Sequence, residues 1–186
     1  MDNLTNIVKT FHSYCKQNNI DYVIVGGFSV LVFGRTRMTM DIDIIIDHKK
    51  IDYDHFVNHF RACGFDINRS DLEALDDKLH GSFFEKNSMF RIDLKGVYGE
   101  NEQNSIKYAL LAKFNNVEAY FDNPNQLIAH KLKFGSEQDL EDAYAVYFRS
   151  QELIDHDLLT SFAANLGVSK ELIEFLENAE RYKSDL

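Results

Sequence analysis

The segment MDIDIIID, residues 40–47, sets two carboxylates into a run of aliphatic side chains. In a strand, residues i and i+2 share a face, so Asp41 and Asp43 project together while Ile42, Ile44 and Ile46 pack the other side. Two like charges this close repel unless something cationic stands between them. Magnesium is the natural candidate, since it prefers carboxylate oxygens together with substrate phosphates. The same spacing also suits one Asp at a strand edge in water and the other capping a turn. Asp93, between Ile92 and Leu94 in FRIDLKG, is a third carboxylate in an apolar run. If its strand lies beside residues 41–46, three carboxylates converge. Such a set can hold two divalent ions ~3.5–4 Å apart, which clamp the attacking and leaving oxygens of phosphoryl transfer. Asp93 can instead pair with Arg91 at a strand end.

An anion site belongs beside such a centre. Gly26-Gly27 follows the β-branched run DYVIV and precedes FSVLVFG. A strand, two glycines and a helix expose backbone N–H groups and a helix N-terminus, and glycine lets the backbone approach a triphosphate closely. Ser29 adds a hydroxyl one turn in. Arg35 and Arg37, just ahead of the aspartates, are suited to bidentate contact with phosphate oxygens, or to a solvated loop.

These residues need a scaffold of strands and helices. Leu4, Ile7, Val8, Phe11 and Tyr14 have the spacing of an amphipathic helix. DYVI reads as a short strand, FSVLVF as a short buried helix closing at Gly34, and MDIDIIID as a strand. Tyr53, Phe56, Val57 and Phe60 mark a second amphipathic helix, stopped by Gly64. Residues 65–69 read as a short strand, while 70–79 show no pattern. HGSFFEK and MFRIDLKGV read as two strands joined by a hairpin turn at Asn87-Ser88, and NNVEAYFD as a further strand. In DNPNQLIAHKL, Asn123 is placed to cap a helix with Pro124 at its first position. From there the pattern is helical, through Leu127, Ile128 and Leu132, then Leu140, Ala143, Tyr144 and Tyr147, then Leu172, Ile173, Phe175 and Leu176. The expected organisation is an α/β core over residues 1–122 and a helical part over 123–186.

Composition narrows the classes. The chain has 186 residues, 45% hydrophobic and 27% charged, a soluble globular mix of about one domain. No apolar run approaches the ~20 residues that span a bilayer, and the N-terminus lacks the layout of a signal peptide, so a cytoplasmic protein without membrane partners is expected. Cys15 and Cys63 lie at helical apolar positions and are expected to be buried thiols. The formal net charge of −10 opposes a broad nucleic-acid footprint. No phosphate loop of the Gly-Lys-Ser/Thr kind and no nucleophile elbow is present. His55 and His59 lack the glutamate of a helical zinc pair and read as surface residues; His130 is a weaker ligand candidate still.

The motif Gly26-Gly27, thirteen residues, Asp41-x-Asp43, then a strand aspartate at Asp93, resembles the nucleotidyltransferase superfamily of the DNA polymerase β type. The departure is Gly27, where many members carry serine. PNQLIAHKLKFGSEQDLEDAYAVY is similar to the Lys…Asp-x-x-Asp segment of small prokaryotic transferases related to the AbiEii and MenT toxins. The resemblance covers roughly residues 20–148. It implies an α+β nucleotidyltransferase fold, a mixed sheet flanked by helices with a C-terminal helical extension. It implies transfer of NMP from an NTP, such as ATP, to an acceptor hydroxyl, with two Mg2+ ions, or Mn2+, held by Asp41, Asp43 and Asp93. Gly26, Gly27, Ser29, Arg37, Lys131 and Asp142 would bind the nucleotide, with Asp139 as the alternative to Asp142. The implied acceptor is RNA, such as a tRNA end, or a protein hydroxyl, and the partner a cognate antitoxin. Antibiotic-modifying enzymes of the lincosamide type share the Gly-Gly…Asp-Ile-Asp opening, so a small-molecule acceptor is the second expectation. A non-catalytic nucleotide-binding or antitoxin-like module is the third.

Overall fold

The computed structural model describes residues 2–86 and 90–184, with side chains from residue 3 to residue 181 within those spans. The chain forms two compact units, Met1–Phe28 with Met38–Asp122, and Ser29–Arg37 with Asn123–Leu186.

The first unit is built on a mixed sheet. Among the described residues it contains β1 (Tyr22–Ile24), β2 (Asp41–Ile46), β3 (Phe65–Asp66), β4 (Gly81–Glu85), β5 (Arg91–Gly96), β6 (Leu110–Phe114) and β7 (Val117–Phe121), in the order β3-β4-β5-β2-β1-β7-β6. β2 pairs parallel with β5 and antiparallel with β1, and β5 pairs antiparallel with β4. Ile42, Ile44, Ile46, Ile92 and Leu94 are buried on one face, as strand alternation places them, and Ile45 is buried on the other. Helices α1 (Asp2–Gln17) and α3 (Tyr53–Ala62) cover that apolar face. Phe11, Tyr14, Phe56, Phe60 and Phe83 meet there edge to face or stacked, with Phe56 and Phe60 centroids 4.4 Å apart. Each such buried ring contributes roughly 1.5–3 kcal/mol through burial. Asp52 caps α3 by accepting from the His55 backbone N–H.

Three features of this unit depart from the pattern in the sequence. The strand expected over 65–69 covers only Phe65–Asp66, and a short helix, α4 (Arg69–Glu73), runs from its expected end into the unpatterned stretch, formed by a capping box between Asn68 and Asp71 rather than by an apolar stripe. α5 (Glu100–Lys107) also lacks a stripe and is entered through Glu102, which accepts from the Gly99 N–H. β6 follows it as an edge strand whose residues alternate between half-buried and exposed. Cys63 is exposed where a buried thiol was expected, because it caps the end of α3 beyond its buried face; Cys15 is buried. The turn expected at Asn87-Ser88 lies outside the described residues.

The second unit is helical. The helix α2 (Gly26–Phe33) passes from the first unit into the second at Ser29. α6 (Pro124–Phe134) is capped by Asn123, which accepts from the Asn125 N–H, with Pro124 at the first position. α7 (Glu137–Arg149) and α8 (His156–Leu166) pack on α6, and α9 (Ser169–Ser184) follows. In α7 the buried face is Asp142, Ala143 and Val146. Leu140, expected in the apolar stripe, is 39% exposed because it lies about 100° round the helix from Asp139. No helix among the described residues is long and apolar enough to cross a membrane.

Gly81 opens the strand that flanks β5. A Cβ there would sit 2.0 Å from the Asp71 carbonyl oxygen, which is backbone and cannot swing aside. Gly81→Ala is expected to cost roughly 2–3 kcal/mol, read as a lowered denaturation midpoint at unchanged m-value; an unchanged midpoint would refute this close approach.

Candidate functional site

The parallel register of β2 and β5 sets Asp41 opposite Arg91 and Asp43 opposite Asp93. On the far side of β5, Ser82 stands opposite Asp93. Partners across a ladder share a face, so Asp41, Asp43, Ser82, Arg91 and Asp93 all project from the face opposite the aromatic core. This meets the condition that the sequence reading left open: the strand carrying Asp93 does lie beside residues 41–46.

The pairings within the cluster are uneven. Both oxygens of Asp93 are engaged: Oδ1 accepts from Ser82 Oγ at 2.5 Å, and Oδ2 accepts from Arg91 Nε at 2.9 Å and lies 2.8 Å from Arg91 Nη2. Arg91 Nη2 also reaches Asp41 Oδ1 at 3.3 Å. Asp93 thus lies on the same face as Asp41 and Asp43 and pairs with Arg91, from within the strand rather than at its end. Asp43 accepts no side-chain hydrogen bond from a described residue. Burial, then the Asp93 and Asp41 charges, push its carboxyl above the usual value, against the smaller opposing influence of Arg91 and His80.

Gly26 makes room for that carboxylate. Its φ is +64°, and a Cβ there would lie 2.7 Å from Asp43 Oδ2. The Val25 N–H donates to the Asp43 carbonyl at 2.9 Å, which ties the entry of α2 to β2. The glycine pair thus begins a helix directly beside a site carboxylate, and favours negative charge there.

In the second unit, Asp142 is completely buried. Its Oδ1 accepts from Arg35 Nε at 2.9 Å; its Oδ2 accepts from Arg37 Nη1 and lies 3.0 Å from Lys131 Nζ. Lys131 donates also to Asp139 Oδ1 at 2.8 Å, and Arg35 Nη1 lies 2.7 Å from Glu141. Burial raises the Asp139 carboxyl, but the hydrogen bonds from Lys131 and Ser136 outweigh it and leave it below the usual value. Arg37 Nε is buried with no hydrogen-bond partner. Ser29 also belongs to this unit and is fully buried.

The expected site residues are thus gathered in two sets. The first unit brings together Gly26, Asp41, Asp43 and Asp93, with Gly27 next in the chain; the second brings together Arg37, Lys131, Asp142 and Asp139. Ser82 went unread in the sequence, although a signal was there: counting back from a two-residue Asn87-Ser88 turn puts Ser82 opposite Asp93. A cavity of about 350 Å3, lined among others by Asp47, Val97 and Lys107, opens beyond the other ends of β2 and β5 and contains none of these residues.

The all-oxygen donor set of Asp41, Asp43 and Asp93 suits a hard divalent cation. The unpartnered, charge-crowded Asp43 carboxylate beside its glycine cradle fits such an ion. As the side chains stand, no group of three His, Cys, Asp or Glu residues among those described is arranged around a metal position; Arg91 stands between Asp41 and Asp93.

No family model matches the chain, and no curated protein matches it. Solved structures do. ANT(2'')-Ia in complex with adenylyl-2''-tobramycin aligns with a TM-score of 0.57 at 15% identity, over 89% of this chain and 99% of that one. The chain has the nucleotidyltransferase fold. The solution structure of the antibiotic-resistance factor ANT(2'')-Ia gives 0.58 at 11% identity, over 95% of this chain and 98% of that one. An antigenic nucleotidyltransferase-like protein from Paracoccidioides brasiliensis gives 0.55 at 18% identity, over 95% and 93%.

Two outcomes are expected. Because Asp43 holds its proton more tightly when folded, its contribution to stability is greatest below the ordinary carboxylate pKa and is lost as pH rises through the folded value. Asp43→Asn should therefore raise the melting temperature in chelator at neutral pH by a few degrees, the shift that ~1 kcal/mol makes in a chain of this size. The gain should vanish in acid; a gain independent of pH would refute the charge argument. Asp142→Ala should cost ~3 kcal/mol, because it strands buried cations without their shared carboxylate. Chemical denaturation reads this directly, and a loss below ~1 kcal/mol would show the cluster to be solvated.

Proposed function

We propose that this protein is a magnesium-dependent nucleotidyltransferase. The observation that carries the reading is the β2–β5 register: it aligns three carboxylates on one sheet face, at the end of a strand–Gly-Gly–helix turn, in a fold shared with nucleotidyltransferase structures.

The reaction forms a bond between the acceptor oxygen and the α-phosphorus of an NTP. The bond to the β-phosphate breaks, and pyrophosphate leaves with that electron pair. Asp41, Asp43 and Asp93 would hold the Mg2+ ions, which when bound offset the triphosphate charge and polarise the phosphoryl oxygens. Asp93 takes the acceptor hydroxyl proton, and Ser82 keeps its carboxylate turned to the cluster. Gly26 and Gly27 let phosphate oxygens approach the backbone at the start of α2. Arg37 and Lys131, held by Asp142, are the cations this reading assigns to the leaving pyrophosphate.

For the acceptor, a small hydroxyl-bearing molecule has two supports. The net charge of −10 favours neutral or cationic acceptors over a polyanion, and ANT(2'')-Ia was crystallised with an adenylylated tobramycin. The toxin-like reading, with an RNA or protein acceptor and an antitoxin partner, rests on the segment containing Lys131, Asp139 and Asp142.

The test is pyrophosphate release and label transfer from each α-labelled NTP, with Mg2+, to aminoglycosides and lincosamides, to tRNA and to protein. Transfer to a small molecule that is insensitive to salt would support the first acceptor, and salt-sensitive labelling of tRNA the second. Asp43→Asn should reduce turnover by roughly 10^3-fold or more. Transfer retained in that variant, or no Mg2+-dependent binding of any NTP, would overturn the reading.

A further inference from the structure

Arg91 gives the carboxylate cluster a feature that the metal reading does not explain. A carboxylate oxygen has two lone-pair directions. Asp93 Oδ2 accepts from Arg91 Nε at 2.9 Å and lies 2.8 Å from Nη2 of the same guanidinium, while Oδ1 accepts from Ser82 at 2.5 Å. The Arg91 fork reaches on to Asp41 at 3.3 Å. The guanidinium therefore occupies the place between two of the three carboxylates that a divalent ion bound by both would take. The two holds on Asp93 differ in kind. Ser82 is fixed by its register position on β4, whereas the Arg91 side chain is 40% exposed and can swing away on its stem.

The geometry points to Arg91 as a resident counter-ion of the carboxylate cluster, a positioning residue that exchanges with the divalent cation. Without metal, its guanidinium holds Asp41 and Asp93 together against their mutual repulsion. When a divalent ion enters, Arg91 must release Asp93 Oδ2, which frees that oxygen as a ligand and leaves a guanidinium at the rim of the cluster. The cation that preserves the site is thus also its competitor. This inference rests on the proposed metal-dependent reading of the same site.

The experiment compares wild type with Arg91→Gln by Mn2+ titration, followed by electron paramagnetic resonance without nucleotide, and by melting temperature in chelator and in saturating Mn2+. The variant is expected to bind Mn2+ roughly 3- to 10-fold more tightly, the size of a partly exposed ion pair removed as competitor. It is expected to melt below wild type in chelator, with the gap closing in Mn2+. A purely structural arginine would lower both melting temperatures alike. Equal or weaker Mn2+ binding in the variant would overturn the exchange while leaving the metal reading intact; no Mn2+ binding in either protein would overturn the metal reading itself. Should Arg91→Gln fail to fold, Arg91→Lys keeps the charge without the fork. It should show the same order of affinities at smaller size, and equal affinities there would likewise overturn the exchange.

Discussion

Placing Asp43 directly opposite Asp93 is an electrostatic cost that the rest of the first unit is built around. A parallel ladder fixes neighbours in register, so this repulsion cannot be relieved by a small slip. Moving β2 by one residue would turn Ile42, Ile44 and Ile46 out of the core. Hydrophobic burial on one face of the sheet thus holds like charges together on the other. The aromatic cluster of Phe11, Phe56, Phe60 and Phe83 is the larger effect, because several buried rings at roughly 1.5–3 kcal/mol each outweigh one partly solvated charge contact. Arg91 and Ser82 then reduce what repulsion remains, and the absence of a side chain at Gly26 leaves room for the Asp43 carboxylate.

The second unit solves the opposite problem. There a single buried carboxylate, Asp142, is surrounded by Arg35, Arg37 and Lys131, with Asp139 and Glu141 balancing the excess. A buried ion pair is weak as a source of stability but strong as a source of specificity, since removing one partner is costly. This network orients long cationic side chains that would otherwise sample many rotamers. Residues 35 and 37 come from the chain just ahead of β2, and residues 131 and 142 from α6 and α7. Asp142 therefore joins segments more than a hundred positions apart in sequence.

Much of this was visible in the residues themselves. The Asp-x-Asp spacing and the interrupting Asp93 are local signals, and each lies on the strand its pattern indicated; the glycine pair, expected as the turn before the helix, forms the helix's first two residues. The Asn123-Pro124 cap is likewise a local device and formed as its chemistry requires. What could not be read was tertiary in origin. Nothing within α7 shows that Asp142 points inward, because its burial depends on cations supplied from far along the chain. α4 and α5 arise from capping carboxylates on polar sequence, where hydrophobic periodicity is silent. Leu140 and Cys63 mark the same boundary from the other side: an apolar residue at nearly the right spacing is exposed when its neighbours on the helix already fill the packed face.

The two clusters have opposite dependence on what surrounds them. Around Asp142 the protein's own cations complete the arrangement, so it is stable without any ligand. Around Asp43 they do not, since Arg91 pairs with Asp41 and Asp93 and leaves the half-buried Asp43 unpartnered. A fold selected only for stability would place an amide or a second arginine there. On the proposed metal-dependent reading, a crowded, unpaired carboxylate on a strand would keep its oxygens fixed in advance, so little ordering would be needed for a cation to bind.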